Sequence, residues 1–318
     1  MPKLLAAGYR VTVLDWYIFG EHVLVPHPHL RQVKGDIRDT ELVGQLLPGV
    51  DAVIHFACIS NDPSVELDPA LSKSVNLDAF RPLVRLSKKA GVKRFIFAAS
   101  SSVYGVSDVV EITEEHPHVP VTDYNRYKSL CETILWEEQT PDFTVVSVRP
   151  ATVCGYSPRL RLDLTVNILT NHAVTKRLIT VFGGEQMRPN IHIEDITDLY
   201  VQLLTAPAEK IAGQAFNAGY QNNRVTDLAR LVKQEVERLM PELGDIEIET
   251  TASDDIRSYH ISSEKVTRVL GFRPRYAVED AVADLVKAFQ AGQVPDSLTS
   301  ARYYNIKMMQ SLAVQHGV

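Results

Sequence analysis

Short β-rich runs alternate with helical patterns from the first line of this sequence, and no other feature restricts its fold as strongly. The runs are 10–15 (RVTVLD), 30–35 (LRQVKG), 51–57 (DAVIHFA), 94–100 (RFIFAAS) and 143–150 (FTVVSVRP). Helical patterns fill the gaps, most clearly 69–90 and 124–138, each apolar on one side and charged on the other. A strand–helix–strand rhythm with right-handed crossovers builds a parallel sheet covered by helices on both faces, so the expected class is α/β with a doubly wound parallel sheet. After Pro150 the rhythm loosens into a Pro- and Arg-rich turn, a helix near 163–174, a short strand at 178–182, Gly183-Gly184 and a further helix from Glu194. That change predicts a smaller C-terminal lobe.

Composition excludes several classes. The 318 residues are 45% hydrophobic and 23% charged, and the apolar runs are broken by Asp, Arg or Pro well before the ~20 residues of a membrane span. Met1 is followed by no basic-then-apolar leader, so a cytoplasmic chain without membrane partners is expected. A net charge of −6 with thinly spread Lys and Arg offers no basic stripe for nucleic acid; anions must be met by individual arginines. Cys58, Cys131 and Cys154 are odd in number, far apart and lack metal-ligand spacing, so buried thiols in a reducing compartment are expected and no metal site.

Residues 2–8 (PKLLAAG) read as the last turns of a helix capped by Gly8, running directly into the first strand. In a doubly wound sheet of order 3-2-1-4-5-6, a central strand, a glycine-rich turn and the start of that helix, roughly 20 residues, would precede it. No G-x-G-x-x-G occurs here. The expectation is an N-terminally incomplete domain in which the runs at 10–15 and 51–57 lack their shared neighbour; the plainer alternative is a fold that begins at Met1.

Ser100 follows a strand, and Tyr124 and Lys128 stand four residues apart in the next helix, on one face. A phenol titrates near pH 10 unaided; an ammonium beside it favours the phenolate, so the pair can exchange a proton nearer neutrality. The Ser100 hydroxyl can bond the same substrate oxygen and orient it. Y-x-x-x-K alone is a weak signal, and its context makes it strong.

FIFAASSSVYG (95–105), DYNRYK (123–128), RPATVCG (149–155) and RPNIHIEDITD (188–198) resemble, in order and spacing, the successive motifs of extended short-chain dehydrogenases, the NAD-dependent nucleotide-sugar epimerases and dehydratases. The resemblance runs from residue 1 to about 292 and implies a Rossmann-type sheet with 1–150 as an N-terminally incomplete dinucleotide-binding domain. It makes 151–318 mainly a substrate-binding lobe, with segments near 190–220 returning to the main sheet. Ser100, Tyr124 and Lys128 then match the catalytic residues, and Lys128 also reaches the nicotinamide ribose. Asp15 would hold the ribose hydroxyls, favouring NAD over NADP, Asp36-Ile37 would flank the adenine, and Phe56-Ala57 would pass along the cofactor, while His55 reads equally well as a core residue. Arg188 and Arg257 match arginines that grip a nucleotide diphosphate. Asn167 is a weaker substrate candidate, His192 a brace, and Ser60-Asn61 lie where the sugar is selected, their plainer reading an Asx turn before Pro63. The resemblance also implies a homodimer in which the helices at 69–90 and 124–138 of two copies form a four-helix bundle.

Departures narrow the reaction. Relatives that eliminate water at C6 or decarboxylate carry an acid just after the catalytic Ser or Thr; here those positions are Ser101 and Ser102. Thr152 replaces a frequent Asn, and Tyr127 a frequent Ser, so the motifs leave the substrate open. The reading that follows is an NAD-dependent epimerase acting on a nucleotide-diphosphate sugar through a 4-keto intermediate. The alternatives are a ketosugar reductase, or a non-catalytic dinucleotide-binding scaffold if the glycine loop is naturally lacking.

Overall fold

The computed structural model describes residues 1–107, 109, 111–252, 258 and 260–316, with side chains as far as residue 312 in the last helix. The helix Pro2–Ala6 comes first, and Gly8 follows with φ 84°, in the left-handed region where glycine ends a helix without steric cost. Five strands form where the β-rich runs predict them: β1 (Val11–Asp15), β2 (Leu30–Lys34), β3 (Ala52–His55), β4 (Arg94–Ala98) and β5 (Thr144–Pro150). Beyond them come β6 (Thr152–Cys154), β7 (Leu178–Phe182), β8 (Met187–His192), β9 (Gln214–Ala218), β10 (Gln221–Arg224) and β11 (Glu247–Thr251).

The main sheet is parallel throughout, in the order β3-β4-β5-β9. Along β5, residues 144–149 are all buried, the pattern of a strand covered on both faces. β1 and β2 pair with each other in parallel, and among the described residues no ladder joins them to the main sheet. β1 and β3 thus have one strand neighbour each. The two groups still share an apolar core, in which Leu14 and Val53 meet Val43, Phe80, Phe95 and Phe97.

The helix expected across 69–90 is not uniform. Pro69–Lys73 and Phe80–Lys89 are α-helical, while Ser74–Asp78 is a π turn. Inside that turn Asn76 is buried; its Oδ1 accepts from the Ile59 N–H (2.8 Å) and its Nδ2 donates to the Ile59 carbonyl (2.8 Å). The π turn places an amide where it satisfies the segment leaving β3, which an α-helical periodicity read from sequence does not anticipate.

The second lobe holds a three-stranded sheet of order β10-β8-β6, with β6 parallel and β10 antiparallel to β8, and the parallel pair β7 and β11. Helices Thr165–Lys176, Val225–Leu239 and Val278–Gln290 bury Val166, Leu228, Val232 and Val282 in a common core. The final helix, Asn305–His316, returns to the first lobe, where Met309 and Leu312 pack with Trp16, Ile37, Ile59, Val65 and Tyr124. No described helix is long and apolar enough to cross a membrane.

Candidate active site

Ser100 lies just past β4, where its hydroxyl caps the short turn Ser101–Tyr104 by accepting from the Ser102 N–H (3.2 Å). Tyr124 and Lys128 stand one turn apart near the start of the helix Asp123–Glu138, which is capped by the Thr122 hydroxyl accepting from the Asn125 N–H (3.3 Å). The Ser100 hydroxyl is close enough to the Tyr124 phenol to act on its charge. The Lys128 ammonium donates to the Ala98 carbonyl (2.6 Å) and lies 5.8 Å from the centre of the Tyr124 ring. The three side chains therefore converge on the C-terminal end of β4.

Burial of the Tyr124 hydroxyl pushes its pKa well above the ordinary phenol value; Cys58 and Asp62 push the same way, while Arg161 and Ser100 oppose them. Lys128, expected to draw Tyr124 toward neutrality, keeps its charge near the ring while bonded to the Ala98 carbonyl. The Ser102 hydroxyl, at one of the two positions where dehydrating relatives carry acids, donates to Asn125 Oδ1 (2.5 Å), and Ser101 is buried.

On the side expected to hold a dinucleotide, Asp15 closes β1 with an exposed side chain, one oxygen of which accepts from the Tyr17 N–H (2.6 Å). Partial burial works to raise the Asp36 pKa, but hydrogen bonds from Arg38, at 2.7 and 2.9 Å, win and hold it below the usual carboxylate range. Ile37 joins Trp16, Ile18, Ile59 and Tyr124 in one apolar cluster. Phe56 is 55% exposed and stands edge-on to Tyr200 at 4.7 Å, with Ala57 half-buried beside it. His55 is a core residue: it is buried against Phe80, Phe95 and Phe97, and burial, aided by Lys128, brings its pKa down to about 3.

Of the expected substrate residues, Ser60 Oγ accepts from Asn305 Nδ2 (2.7 Å). Asn61 caps the helix Asp62–Leu67 by accepting from the Ser64 N–H (3.0 Å), and its Nδ2 donates to Asp163 (3.3 Å). Asn167, expected to contact substrate, bonds within the protein. It is buried, its Oδ1 accepts from the Gly155 N–H (3.1 Å) and its Nδ2 donates to the Arg161 carbonyl (2.8 Å), so both ends of the amide hold the loop after β6. That loop begins at Gly155, whose φ of 102° and proximity to His192 leave no room for a side chain: a Cβ would meet His192 Nε2 at 2.9 Å. His192 Nδ1 in turn caps the helix Ile193–Thr205 by accepting from the Glu194 N–H (3.1 Å). Arg188 sits on β8 and donates to the Met187 carbonyl (3.1 Å). Arg257 lies outside the described residues.

Several neighbours of Tyr124 escape a motif-based reading. Asp62, whose carboxylate accepts from the Thr122 hydroxyl (2.6 Å), Arg161 and Cys58 are all close enough to act on the Tyr124 charge. The Tyr200 hydroxyl is buried with no hydrogen-bond partner among the described residues, and burial together with nearby Tyr124 pushes its pKa up. Arg161 lay in the Arg-rich turn after Pro150, a compositional signal without an assigned role. Tyr200 carried none, because on helix periodicity it is one more apolar-face residue.

A family model described as "NAD dependent epimerase/dehydratase family" matches residues 1–219. Among curated proteins, the chain is 27% identical over 307 residues to the UDP-glucose 4-epimerase of Lacticaseibacillus casei, covering 89% of this chain and 90% of that one. Among solved structures, it is similar to a UDP-glucose 4-epimerase from Thermotoga maritima, solved with UDP-glucose, with a TM-score of 0.82, 22% identity and coverage of 92% and 94%. It is also similar to a dTDP-glucose 4,6-dehydratase from Streptomyces venezuelae, solved with NAD, with a TM-score of 0.80, 23% identity and 92% of each chain covered. At these identities the structural likeness shows a shared fold.

Proposed function

Because the chain belongs to the NAD dependent epimerase/dehydratase family, we propose that it inverts the C4 hydroxyl of a nucleotide sugar, through a transient 4-keto intermediate, with NAD as bound cofactor. One observation carries this reading: Ser100, Tyr124 and Lys128 converge at the end of β4, beside serines rather than carboxylates at 101 and 102. Two serines offer no base for proton work at C5 or C6, which disfavours a dehydratase. The curated likeness to UDP-glucose 4-epimerases supports the same choice and makes UDP-hexoses the first substrates to try.

The residues present fit a dinucleotide. An exposed Asp15 ends a parallel strand, where ribose hydroxyls are bound in doubly wound sheets, and Trp16 and Ile37 supply an apolar wall for a flat base beside Asp36. Phe56 and Ala57 would line its path, and Lys128 would hold the nicotinamide ribose. NAD, when bound, supplies the acceptor and then the donor of a hydride. Ser100 orients the C4 oxygen; Tyr124 takes its proton and later returns it. Since burial keeps Tyr124 protonated, proton removal depends on positive charge at the phenol, and Arg161 already acts in that direction. Arg188 and Arg257 would grip the diphosphate, and Ser60 with Asn61 would read the sugar.

The same reading treats 1–150 as the dinucleotide half and 151–318 mainly as the substrate lobe, with 190–220 returning. It makes the protein a cytoplasmic homodimer through a four-helix bundle; three free cysteines and a Leu130 that is 43% exposed on the helix Asp123–Glu138 support this.

The test supplies UDP-galactose, UDP-N-acetylhexosamines and dTDP- and GDP-hexoses with NAD and follows the C4 epimer by NMR. An epimerase forms it without net accumulation of NADH, and Tyr124→Phe lowers kcat by roughly 10²- to 10⁴-fold while NAD affinity is retained. A 4-keto-6-deoxy product, or stoichiometric cofactor turnover, replaces the reading with a dehydratase or a reductase.

A further inference from the structure

Two arginines of the loop between β6 and the helix Thr165–Lys176 reach toward the residues gathered around Tyr124 and Asp15. Arg161 pairs with Asp163 (Nε to Oδ1, 2.9 Å). The other oxygen of Asp163 accepts from the Asn305 N–H (2.9 Å) and from Asn61. Among the described residues Arg159 has no such partner. Its guanidinium carbon lies 3.5 Å from the centre of the Phe19 ring, and Nη2 donates to Asn305 Oδ1 (2.5 Å). Nη1 is buried with no hydrogen-bond partner among the described residues. Burial and the neighbouring Arg161 charge lower its pKa to about 10, against the opposing influence of Asp163 and Asp15.

A guanidinium whose Nη1 is buried without an acceptor is costly, because that donor has lost water and gained nothing in return. Buried polar groups of folded proteins are otherwise almost all satisfied, so the exception marks a place where an acceptor arrives from outside. The surroundings narrow that acceptor. Phe19 follows β1, Asp15 is close enough to act on the Arg159 charge, and Asn305, which holds Arg159, also holds Ser60. The side chain therefore stands between the ribose side and the sugar-reading loop of the site described above. A ligand carrying a diphosphate there would present several anionic oxygens, which a planar guanidinium meets two at a time.

We propose that Arg159 is a diphosphate-binding residue, presented from the second lobe by Asn305 of the C-terminal segment, and that ligand phosphate oxygens take up its unused Nη1 donor. This rests on the nucleotide-sugar reading. The diphosphate is either the pyrophosphate of the dinucleotide or that of the sugar nucleotide, a shared chemistry that binding measurements separate.

The experiment is calorimetric titration of NAD, UDP and inorganic pyrophosphate, each into wild type and Arg159→Met, with thermal unfolding of both unliganded proteins. Losing a charge-assisted hydrogen bond weakens the diphosphate that Arg159 serves by roughly 10- to 100-fold. Loss confined to NAD assigns the cofactor pyrophosphate, and loss confined to UDP assigns the sugar nucleotide. The unliganded Arg159→Met protein should melt within a few degrees of wild type, since removing an enclosed cation with an unused donor offsets the lost bond to Asn305. Should both NAD and UDP bind within about twofold of wild type, or should the variant melt several degrees lower with affinities unchanged, Arg159 is a structural brace and the proposal is overturned. If wild type binds neither NAD nor UDP, the nucleotide-sugar reading fails instead, and pyrophosphate decides on Arg159: weaker binding by the variant supports the assignment, equal binding refutes it. Arg159→Lys, which keeps charge but loses the fork, gives the same readouts should the methionine variant not fold.

Discussion

Arg149 and Arg159 lie on either side of β6, both largely enclosed, in opposite electrostatic situations. Arg149, in β5, meets Glu132 from the helix Asp123–Glu138 through Nη2–Oε2 (2.8 Å) and Nε–Oε1 (3.0 Å). Its Nη1 donates to the Tyr104 hydroxyl (2.7 Å), which donates to Asn217 (2.8 Å), and Glu132 also accepts from Ser147 (2.5 Å). Burial works to lower the Arg149 pKa, but Glu132 and Tyr104 overcome it and hold the pKa above its ordinary value. Among the described residues the Arg159 guanidinium has only Phe19 and Asn305, and its pKa falls. The comparison teaches that burial alone does not tell what a charge is for. A fully bonded cation ties the turn Ser101–Tyr104, β5, β9 and the helix Asp123–Glu138 together, whereas one with a spare donor is left for a ligand.

The largest effect is expected at Arg149. Arg149→Met leaves Glu132 buried without its cation and should cost about 3–5 kcal/mol in denaturant unfolding, with Glu132→Gln in the same chain recovering part of it. A loss below about 1 kcal/mol would erase the contrast with Arg159. His55 sharpens the comparison from another direction, as a buried ionisable group kept neutral. Its folded pKa of about 3 lies below the ordinary 6.5, so the unfolded chain binds the extra proton between those values. Its stabilising contribution is complete above pH 6.5 and is lost as pH falls toward 3, by on the order of a few kcal/mol. His55→Phe, which suits the Phe80, Phe95 and Phe97 surroundings, should flatten the acid limb of a stability–pH profile; an unchanged limb would assign it to other groups. The smallest effect is expected at Asn305. Asn305→Ala removes bonds to Ser60 and Arg159 and should cost about 1 kcal/mol in unfolding, with a few-fold weaker binding of the diphosphate that Arg159 serves. Unfolding and calorimetry on the same preparation read both.

Much of this was legible before any coordinates. The runs at 10–15, 30–35, 51–57, 94–100 and 143–150 became β1 to β5 because strand propensity and helix periodicity are local, carried by residues a few positions apart. Ser100, Tyr124 and Lys128 were legible for the same reason: a strand end and one helical turn fix their spacing. The partners of Asn167 were not legible, since a polar residue on a helix reads as surface or site, and only packing shows its amide turned inward onto Gly155.

What sequence alone determined was the parallel α/β class, the family and the three residues at the end of β4. What only the tertiary structure decided was the company these residues keep. Asn305 meets Arg159 across 146 positions and Ser60 across 245, and the final helix covers Tyr124 and Ile37 from a stretch without any recognisable motif. Periodicity reports on neighbours along the chain. Whether a buried arginine finds its carboxylate, as Arg149 does, or keeps a donor unused, as Arg159 does, depends on which distant segments share its interior.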